Sequence, residues 1–146
     1  MDLKERWIEF KQQITSPKDS SEKIARAAAL GAFLGTSATF GLAILFIYPV
    51  AKFFKLNIPV ALAMSLLISN PWSTAFVWVG QMWLGFHLTG REIPQHLGDL
   101  IHGGIRMWGD YLWIYIIGAM VFGTLVGIGV YGLVFLSVSI YRKVRA

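Results

Sequence analysis

Three long segments without a charged side chain dominate this sequence. Residues 27–51, 56–90 and 111–141 contain no Lys, Arg, Asp or Glu, and they are 25, 35 and 31 residues long. A helix needs about 20 mostly apolar residues to cross the hydrocarbon layer of a membrane. We therefore predict an all-α integral membrane protein, a helical bundle built on apolar runs at about 24–51, 56–90 and 111–141.

The basic residues lie beside the apolar runs and indicate how the chain crosses the membrane. Six Lys or Arg residues lie between Lys4 and Arg26, and three lie in the last five positions. Because cytoplasmic segments are enriched in Lys and Arg, we predict a multi-pass membrane protein with both termini in the cytoplasm. Termini on the same side require an even number of crossings, and there are three apolar runs. One of the first two runs is therefore predicted to be re-entrant. Lys52 and Lys55, which lie between these runs, favour the first as the hairpin.

The first 15 residues are predicted to form an amphipathic helix. Leu3, Trp7, Phe10 and Ile14 fall on one helical face, as in a helix that lies on a membrane surface or packs on a partner subunit. Acidic residues interrupt the basic residues of this N-terminal region, so no nucleic-acid partner is expected. Residues 16–146 are predicted to form a single membrane domain with broken or re-entrant helices.

The sequence predicts neither an enzyme nor a bound cofactor. It has no cysteine, and no Asp or Glu lies inside an apolar run, which excludes a thiolate metal site and disfavours a proton relay on a buried carboxylate. His96, Asp99 and His102 have ligand-like spacing. An apolar stripe on the opposite side of the same segment favours a surface helix with a solvated face over a metal site. No catalytic residues are predicted.

Two of the apolar runs are interrupted near their centres. The second contains Asn70-Pro71, a preferred N-cap followed by a preferred first helical residue. The first contains the stretch GTSATFG at residues 35–41, which is rich in small and hydroxyl residues. Polar side chains at such breaks can bond to the backbone of their own helix. Alternatively, a helix that restarts inside the membrane directs free N–H groups and its positive dipole end at a ligand.

If the two breaks face each other, they form one polar site. Such a site holds neutral donors and helix ends but no carboxylate, so the predicted ligand is an anion or a lipid with an anionic headgroup. Arg26, at the edge of the first run, is predicted to attract that headgroup, unless its side chain only extends to the membrane interface. The predicted ligand-binding residues are Thr36, Ser37, Thr39, Asn70, Pro71, Ser73, Thr74 and Arg26.

The third apolar run carries small residues at a four-residue spacing. Ala119, Gly123 and Gly127 fall on one helical face, and small residues at that spacing let two helices approach closely. We predict that this face packs on another helix, either of the same chain or of another chain. The corresponding partners are a second copy in a homo-oligomer or a different membrane subunit.

The assembled motifs resemble the bacterial membrane family DUF2062 over roughly residues 16 to 141. The motifs that carry the resemblance are Gly31 and Gly35 at four-residue spacing, Gly41, Asn57 with Pro59, and Asn70-Pro71 with Thr74. The family commonly has a proline between the second and third of these glycines, where this chain has TSATF. Relatives often occur beside or fused to glycosyltransferases of the cell envelope. The resemblance therefore implies work on lipid-linked sugars or polyprenyl phosphates.

Two functions are consistent with these features. The first is a small inner-membrane protein that binds or translocates a lipid with an anionic headgroup, such as a polyprenyl phosphate or a lipid-linked sugar, at the polar site between the breaks. The second is a non-catalytic structural or assembly subunit of a membrane complex in the cell envelope.

Overall fold

The computed structural model describes residues 19–37, 42–93 and 104–145, with the side chains of the last range described from 109 to 144. Within these residues all regular structure is α-helical, as predicted. The helices are α1 (Ser21–Ser37), α2 (Ala43–Phe53), α3 (Ile58–Ile68), α4 (Pro71–Thr89) and α5 (Gly104–Arg145). The amphipathic helix predicted for residues 1–15 and the candidate residue Thr39 lie outside the described residues.

One helix of the described chain is long and apolar enough to cross a membrane, judged by length and composition. This is α5, which qualifies over Gly109–Val144 and contains an 18-residue window with a mean hydropathy of 2.1. Together α3 and α4 also qualify, but they are bent by 80° at the break between them. The helix break predicted at Asn70-Pro71 is therefore present. Of the interruption predicted at residues 35–41 of the first run, residues 35–37 form the end of α1, and residues 38–41 lie outside the described residues.

Small side chains let the central helix, α1, approach its neighbours closely. It contacts α2, α3 and α5. A Cβ atom on Gly31 would overlap the carbonyl oxygen of Ala61, and one on Gly35 would lie 3.0 Å from the Cα of Ser65. The residue numbers of these contacts increase in the same direction along both helices, so α1 and α3 are parallel. Four alanines of α1 are fully buried, namely Ala25, Ala27, Ala28 and Ala32.

The last helix runs antiparallel to α1 and then continues past its end. A Cβ atom on Gly127 would lie 3.3 Å from the carbonyl oxygen of Ala29, and one on Gly123 would lie 2.5 Å from the Oγ of Ser37. The order of these contacts is reversed along the two helices. Beyond the end of α1, the N-terminal half of α5 packs on α4.

The turn between α2 and α3 is held by backbone hydrogen bonds. The N–H of Leu56 donates to the carbonyl oxygen of Ala51 at 2.8 Å, and the N–H of Lys55 donates to that of Lys52 at 3.1 Å. These two bonds form a Schellman motif, in which the residue after the helix cap is left-handed. Lys55 is that residue, with φ of 53°. The next helix begins immediately afterwards, because the side chain of Asn57 caps α3 by accepting from the N–H of Val60 at 3.2 Å.

Large apolar side chains cover much of the outer surface. Trp72 is 85% exposed, and Phe53 and Phe76 are each 80% exposed. A soluble monomer rarely exposes contiguous apolar patches of this kind. Such a surface is typical of one that lipid or another protein covers.

Candidate functional site

The break between α3 and α4 is built from hydrogen bonds within its own few residues. The Oδ1 of Asn70 accepts from the N–H of Ser73 at 2.9 Å, which is the N-cap bond expected from the sequence. The Nδ2 of Asn70 donates to the carbonyl oxygen of Leu67 at 2.9 Å. One amide therefore closes both the end of α3 and the start of α4. Pro71 is the first helical residue of α4.

The two hydroxyl residues of the first turn of α4 also bond to the backbone of the break. The Oγ1 of Thr74 donates to the carbonyl oxygen of Asn70 at 2.7 Å. The Oγ of Ser73 contacts the carbonyl oxygens of Ile68 and Asn70. Pro71 has no N–H for the carbonyl oxygen of Leu67, which accepts from Asn70 instead, and the two hydroxyls give further hydrogen bonds to carbonyl oxygens of the break. The observed bonds thus favour the interpretation in which the polar residues satisfy their own helix.

The C-terminal end of α1 does reach this break. The Oγ of Ser69 donates to the carbonyl oxygen of Gly35 at 2.7 Å. Thr36 is buried, and its hydroxyl bonds back to the carbonyl oxygens of Ala32 and Phe33 within α1. The structure therefore brings the two interrupted segments together through Ser69.

A second link between the segments is Gln81 of α4, which was not among the predicted site residues. Its side chain is fully buried, and its Nε2 donates to the carbonyl oxygen of Thr36 at 2.7 Å. Its Oε1 is buried and has no hydrogen-bond partner among the described residues. The sequence signal for this residue is a long amide side chain within the charge-free segment at residues 56–90.

The predicted packing residues of α5 face the end of α1. Ala119 is buried, and its carbonyl oxygen lies 3.5 Å from the Oγ of Ser37. Gly123 and Gly127 lie one and two turns further along and contact the same helix. In this structure the small-residue face is used inside the chain. The hydroxyl of Ser37 is thereby directed toward α5.

Arg26 lies apart from the other predicted ligand residues. It precedes Thr36 by ten residues, which is about 15 Å along a helix. Its guanidinium forms an ion pair with Glu22 one turn earlier, and both side chains are more than half exposed. Arg26 instead lines a groove of about 340 Å³ between α1 and α5. The other lining residues are Ala29, Phe33, Thr124, Gly127, Ile128 and Tyr131.

The same arginine also lines a second, polar cavity at this end of the helices. This cavity has a volume of about 220 Å³ and lies between the start of α1 and the turn after α2. Its charged lining residues are Glu22, Lys23, Arg26 and Lys55, and the others are Ser20, Phe54 and Leu56. Arg26 therefore stands between a cationic cavity and an apolar groove.

One partly buried carboxylate ties three parts of the chain together beside the cationic cavity. The side chain of Asp19 is 13% exposed and accepts from the Nζ of Lys23 at 2.6 Å and from the Nδ2 of Asn57 at 2.7 Å. Its backbone carbonyl accepts from the guanidinium of Arg142 at the end of α5. The hydrogen bond from Lys23 is the main cause that lowers the pKa of Asp19, and the bond from Asn57 and the charges of Lys23 and Arg142 act in the same direction.

Replacing Asp19 with asparagine is expected to lower the free energy of unfolding at pH 7 by about 1 kcal/mol, because the bond to Lys23 loses its charge. The pKa of Asp19 is lower in the folded protein than its ordinary value of 3.8, so the carboxylate stabilises the fold at pH values above 3.8. That contribution disappears as the pH falls through the lower folded-state pKa. The difference between wild type and Asp19→Asn should therefore shrink in acid. Thermal unfolding in detergent over a pH series measures it.

The matched control for this prediction is Glu22→Gln, which removes an exposed carboxylate from the same turn. An exposed ion pair at i, i+4 on a helix, such as that of Glu22 with Arg26, contributes only about 0.3–0.5 kcal/mol. An equal loss of stability in both variants would contradict the special role of Asp19.

The described ranges contain no group of three or more His, Asp or Glu side chains that could hold a metal ion. A family model described as "Uncharacterized protein conserved in bacteria (DUF2062)" matches residues 5–146. The searches of the curated proteins and of the solved structures give no match.

Proposed function

The chain belongs to the DUF2062 family, and we propose that within it this chain acts as a small multi-pass inner-membrane protein that binds a lipid with an anionic headgroup. The observation that carries the proposal is the position of Arg26, which lines both the cationic cavity and the apolar groove. A lipid has the same two parts, a charged headgroup and an apolar chain. The proposal places the headgroup beside Arg26, because the polar residues at Asn70 already bond to the backbone of the break.

The location in a membrane is supported by the outer surface and by the placement of charge. The helices expose large apolar side chains along their length. Basic residues concentrate at one end of the bundle, where Lys23, Arg26 and Lys55 surround the cationic cavity and Arg142 contacts Asp19. Such a cationic end suits the cytoplasmic face of a bilayer, where anionic lipid headgroups and the positive-inside rule both favour it.

A re-entrant hairpin is supported by the arrangement of α1 and α2. The start of α1 and the turn that follows α2 line the same cavity. Both outer ends of the hairpin therefore lie at the cationic end of the bundle. A helix of 17 residues such as α1 extends about 25 Å, less than the ~30 Å of the hydrocarbon core. The first apolar run would then enter and leave the membrane on the cytoplasmic side.

Arg26→Gln is expected to weaken binding of an anionic phospholipid about three- to tenfold, because the neutral amide loses a charge-assisted contact with the headgroup. Binding to phosphatidylcholine should change little. The measurement is retention of each lipid by the gently extracted full-length protein, followed by native mass spectrometry as the lipid is titrated. A wild-type protein that retains no anionic lipid above phosphatidylcholine would contradict the proposal.

The control for this experiment is Arg91→Gln. Arg91 is exposed to a similar degree and forms its ion pair with Asp110, at 2.9 Å. Neither residue lines the cationic cavity or the apolar groove. The control variant should bind anionic lipid like the wild type, which separates a loss of net charge from the loss of a specific contact.

A second candidate function is an assembly subunit of a membrane complex in the cell envelope. The observation that favours it is the open face of α5, where Cβ atoms on Gly129 and Gly132 would meet nothing within 4 Å. Another helix could approach closely there. The same mass spectrometry distinguishes the two functions, since a subunit would retain a stoichiometric protein partner in place of a lipid.

A further inference from the structure

The turn after α2 holds a lysine in a backbone conformation that normally takes glycine. Lys55 has φ of 53°, and it is the one residue other than glycine with a positive φ within residues 19–37, 42–93 and 104–145. Left-handed backbone is unfavourable for a residue with a Cβ atom, and glycine is the usual residue at this position of a Schellman motif. The backbone of Lys55 is therefore in an unfavourable conformation, which points to a function of its side chain.

The end of α4 shows the ordinary solution to the same problem. Gly90 follows α4 with φ of 65°, and the N–H of Arg91 donates to the carbonyl oxygen of Phe86 at 3.2 Å. The chain thus uses glycine where only the backbone has to turn. At Lys55 the turn is the same but a charged side chain is kept.

That side chain completes a group of three cations around the cationic cavity. Lys23 and Arg26 also line it, against the single carboxylate of Glu22. Lys23 pairs with Asp19 and Arg26 pairs with Glu22. Lys55 takes part in none of the ion pairs seen in the described part of the chain, so its charge is the one least compensated by the protein.

We infer that the headgroup bound in the cationic cavity is a phosphate monoester, held by Lys23, Arg26 and Lys55. This inference rests on the proposed function and specifies its ligand. A monoester carries a charge of about −1.5 to −2 at pH 7 and three free oxygens. A phosphodiester carries one negative charge and two free oxygens, for which Arg26 with one lysine would suffice. Lys23, Arg26 and Lys55 all line the cavity, and Lys55 adds a charge that forms no ion pair within the described residues, so this set matches the monoester better in charge and in number of donors.

The shape of the two cavities agrees with a terminal phosphate. Arg26 is shared by the cationic cavity and the apolar groove, so a phosphate beside it can send its single ester link toward the groove.

The test compares the full-length protein with Lys55→Gly in phosphatidylcholine nanodiscs. The nanodiscs contain the same minor fraction of either phosphatidic acid, a monoester, or phosphatidylglycerol, a diester. Wild-type protein should bind phosphatidic acid about tenfold more tightly than phosphatidylglycerol. Lys55→Gly should lose most of that preference while its melting temperature stays the same or rises, because glycine relieves the left-handed backbone.

The matched control is Lys52→Gln, which removes one positive charge from the preceding turn. Lys52 lies over the ring of Tyr48 and does not line the cationic cavity. This control should keep the preference for phosphatidic acid. Equal loss of preference in Lys52→Gln and Lys55→Gly would overturn the inference, because it would indicate general surface charge.

The remaining outcomes separate the inference from the function on which it rests. Equal affinity for both anionic lipids overturns the monoester and leaves an anionic-lipid protein. No affinity for either lipid above phosphatidylcholine overturns the proposed function itself. Inorganic phosphate that competes as well as phosphatidic acid at equal concentration would overturn the lipid as the source of the phosphate, because the apolar groove would then contribute nothing.

Discussion

Replacing Gly118 with alanine is expected to lower the free energy of unfolding by about 2–3 kcal/mol, or to prevent stable assembly of α4 against α5. A Cβ atom at this position would overlap the carbonyl oxygen of Gln81 and lie 2.8 Å from the backbone nitrogen of Gly85. These are backbone atoms of a helix, so no side chain can rotate away to make room. The two helices would have to separate.

The loss of stability should be large, because α4 and α5 each have a glycine that lies against the backbone of the other helix. A Cβ atom on Gly85 would in turn overlap the carbonyl oxygen of Ile114. Moving α4 away from Gly118 would also displace Gln81, whose side chain bonds to the end of α1. One added methyl group would therefore displace parts of three helices. Closely packed protein interiors relax only partly around such a change.

Gly129→Ala is the matched control, because it makes the same change on the same helix at an open position. Alanine is the better helix former, so this variant should be more stable by about 0.5–1 kcal/mol. Thermal or chemical unfolding of both variants in detergent measures the difference. Equal stability of the two would show that α4 and α5 do not touch as described. A destabilised Gly129→Ala would instead favour a partner helix on the open face.

The sequence predicts the helices and the break at Asn70-Pro71 well, because these depend on local chemistry. These predictions depend on patterns that can be read along the chain, namely the charge-free runs, the Asn70-Pro71 pair and the spacing of Gly123 and Gly127. It does not predict which helix a small residue contacts. Gly118 and Gly123 lie on one helix, yet the first meets α4 and the second meets α1. That division depends on where α1 ends in space.

The candidate site was predicted less completely than the fold. A hydroxyl such as that of Thr74 can bond either to its own backbone or to a ligand, depending on the rotamer of the side chain. The sequence alone does not determine that rotamer. Arg26 was identified from its place at the edge of an apolar run. Its proximity to Lys55 requires the hairpin of α1 and α2, which brings together residues that are distant along the chain.

Asn70→Ala is expected to lower the free energy of unfolding by about 2 kcal/mol, the sum of a lost N-cap and a lost bond to a freed carbonyl. The variant removes the acceptor for the N–H of Ser73 and the donor to the carbonyl oxygen of Leu67. The 80° bend between α3 and α4 depends on this closure of both helix ends. Binding of anionic lipid per folded molecule should stay at the wild-type level, since Asn70 does not line the cationic cavity or the groove.

Asn70→Ser separates the two halves of this prediction. Its hydroxyl oxygen can still accept from the N–H of Ser73 as an N-cap, but the shorter side chain has no amide N–H for the carbonyl oxygen of Leu67. Its stability should therefore fall between those of wild type and Asn70→Ala. Unfolding measurements and lipid titration on the same preparations decide the role of the residue. If Asn70→Ala unfolds like the wild type but no longer binds anionic lipid, the break is the headgroup site and the assignment to Arg26 is wrong.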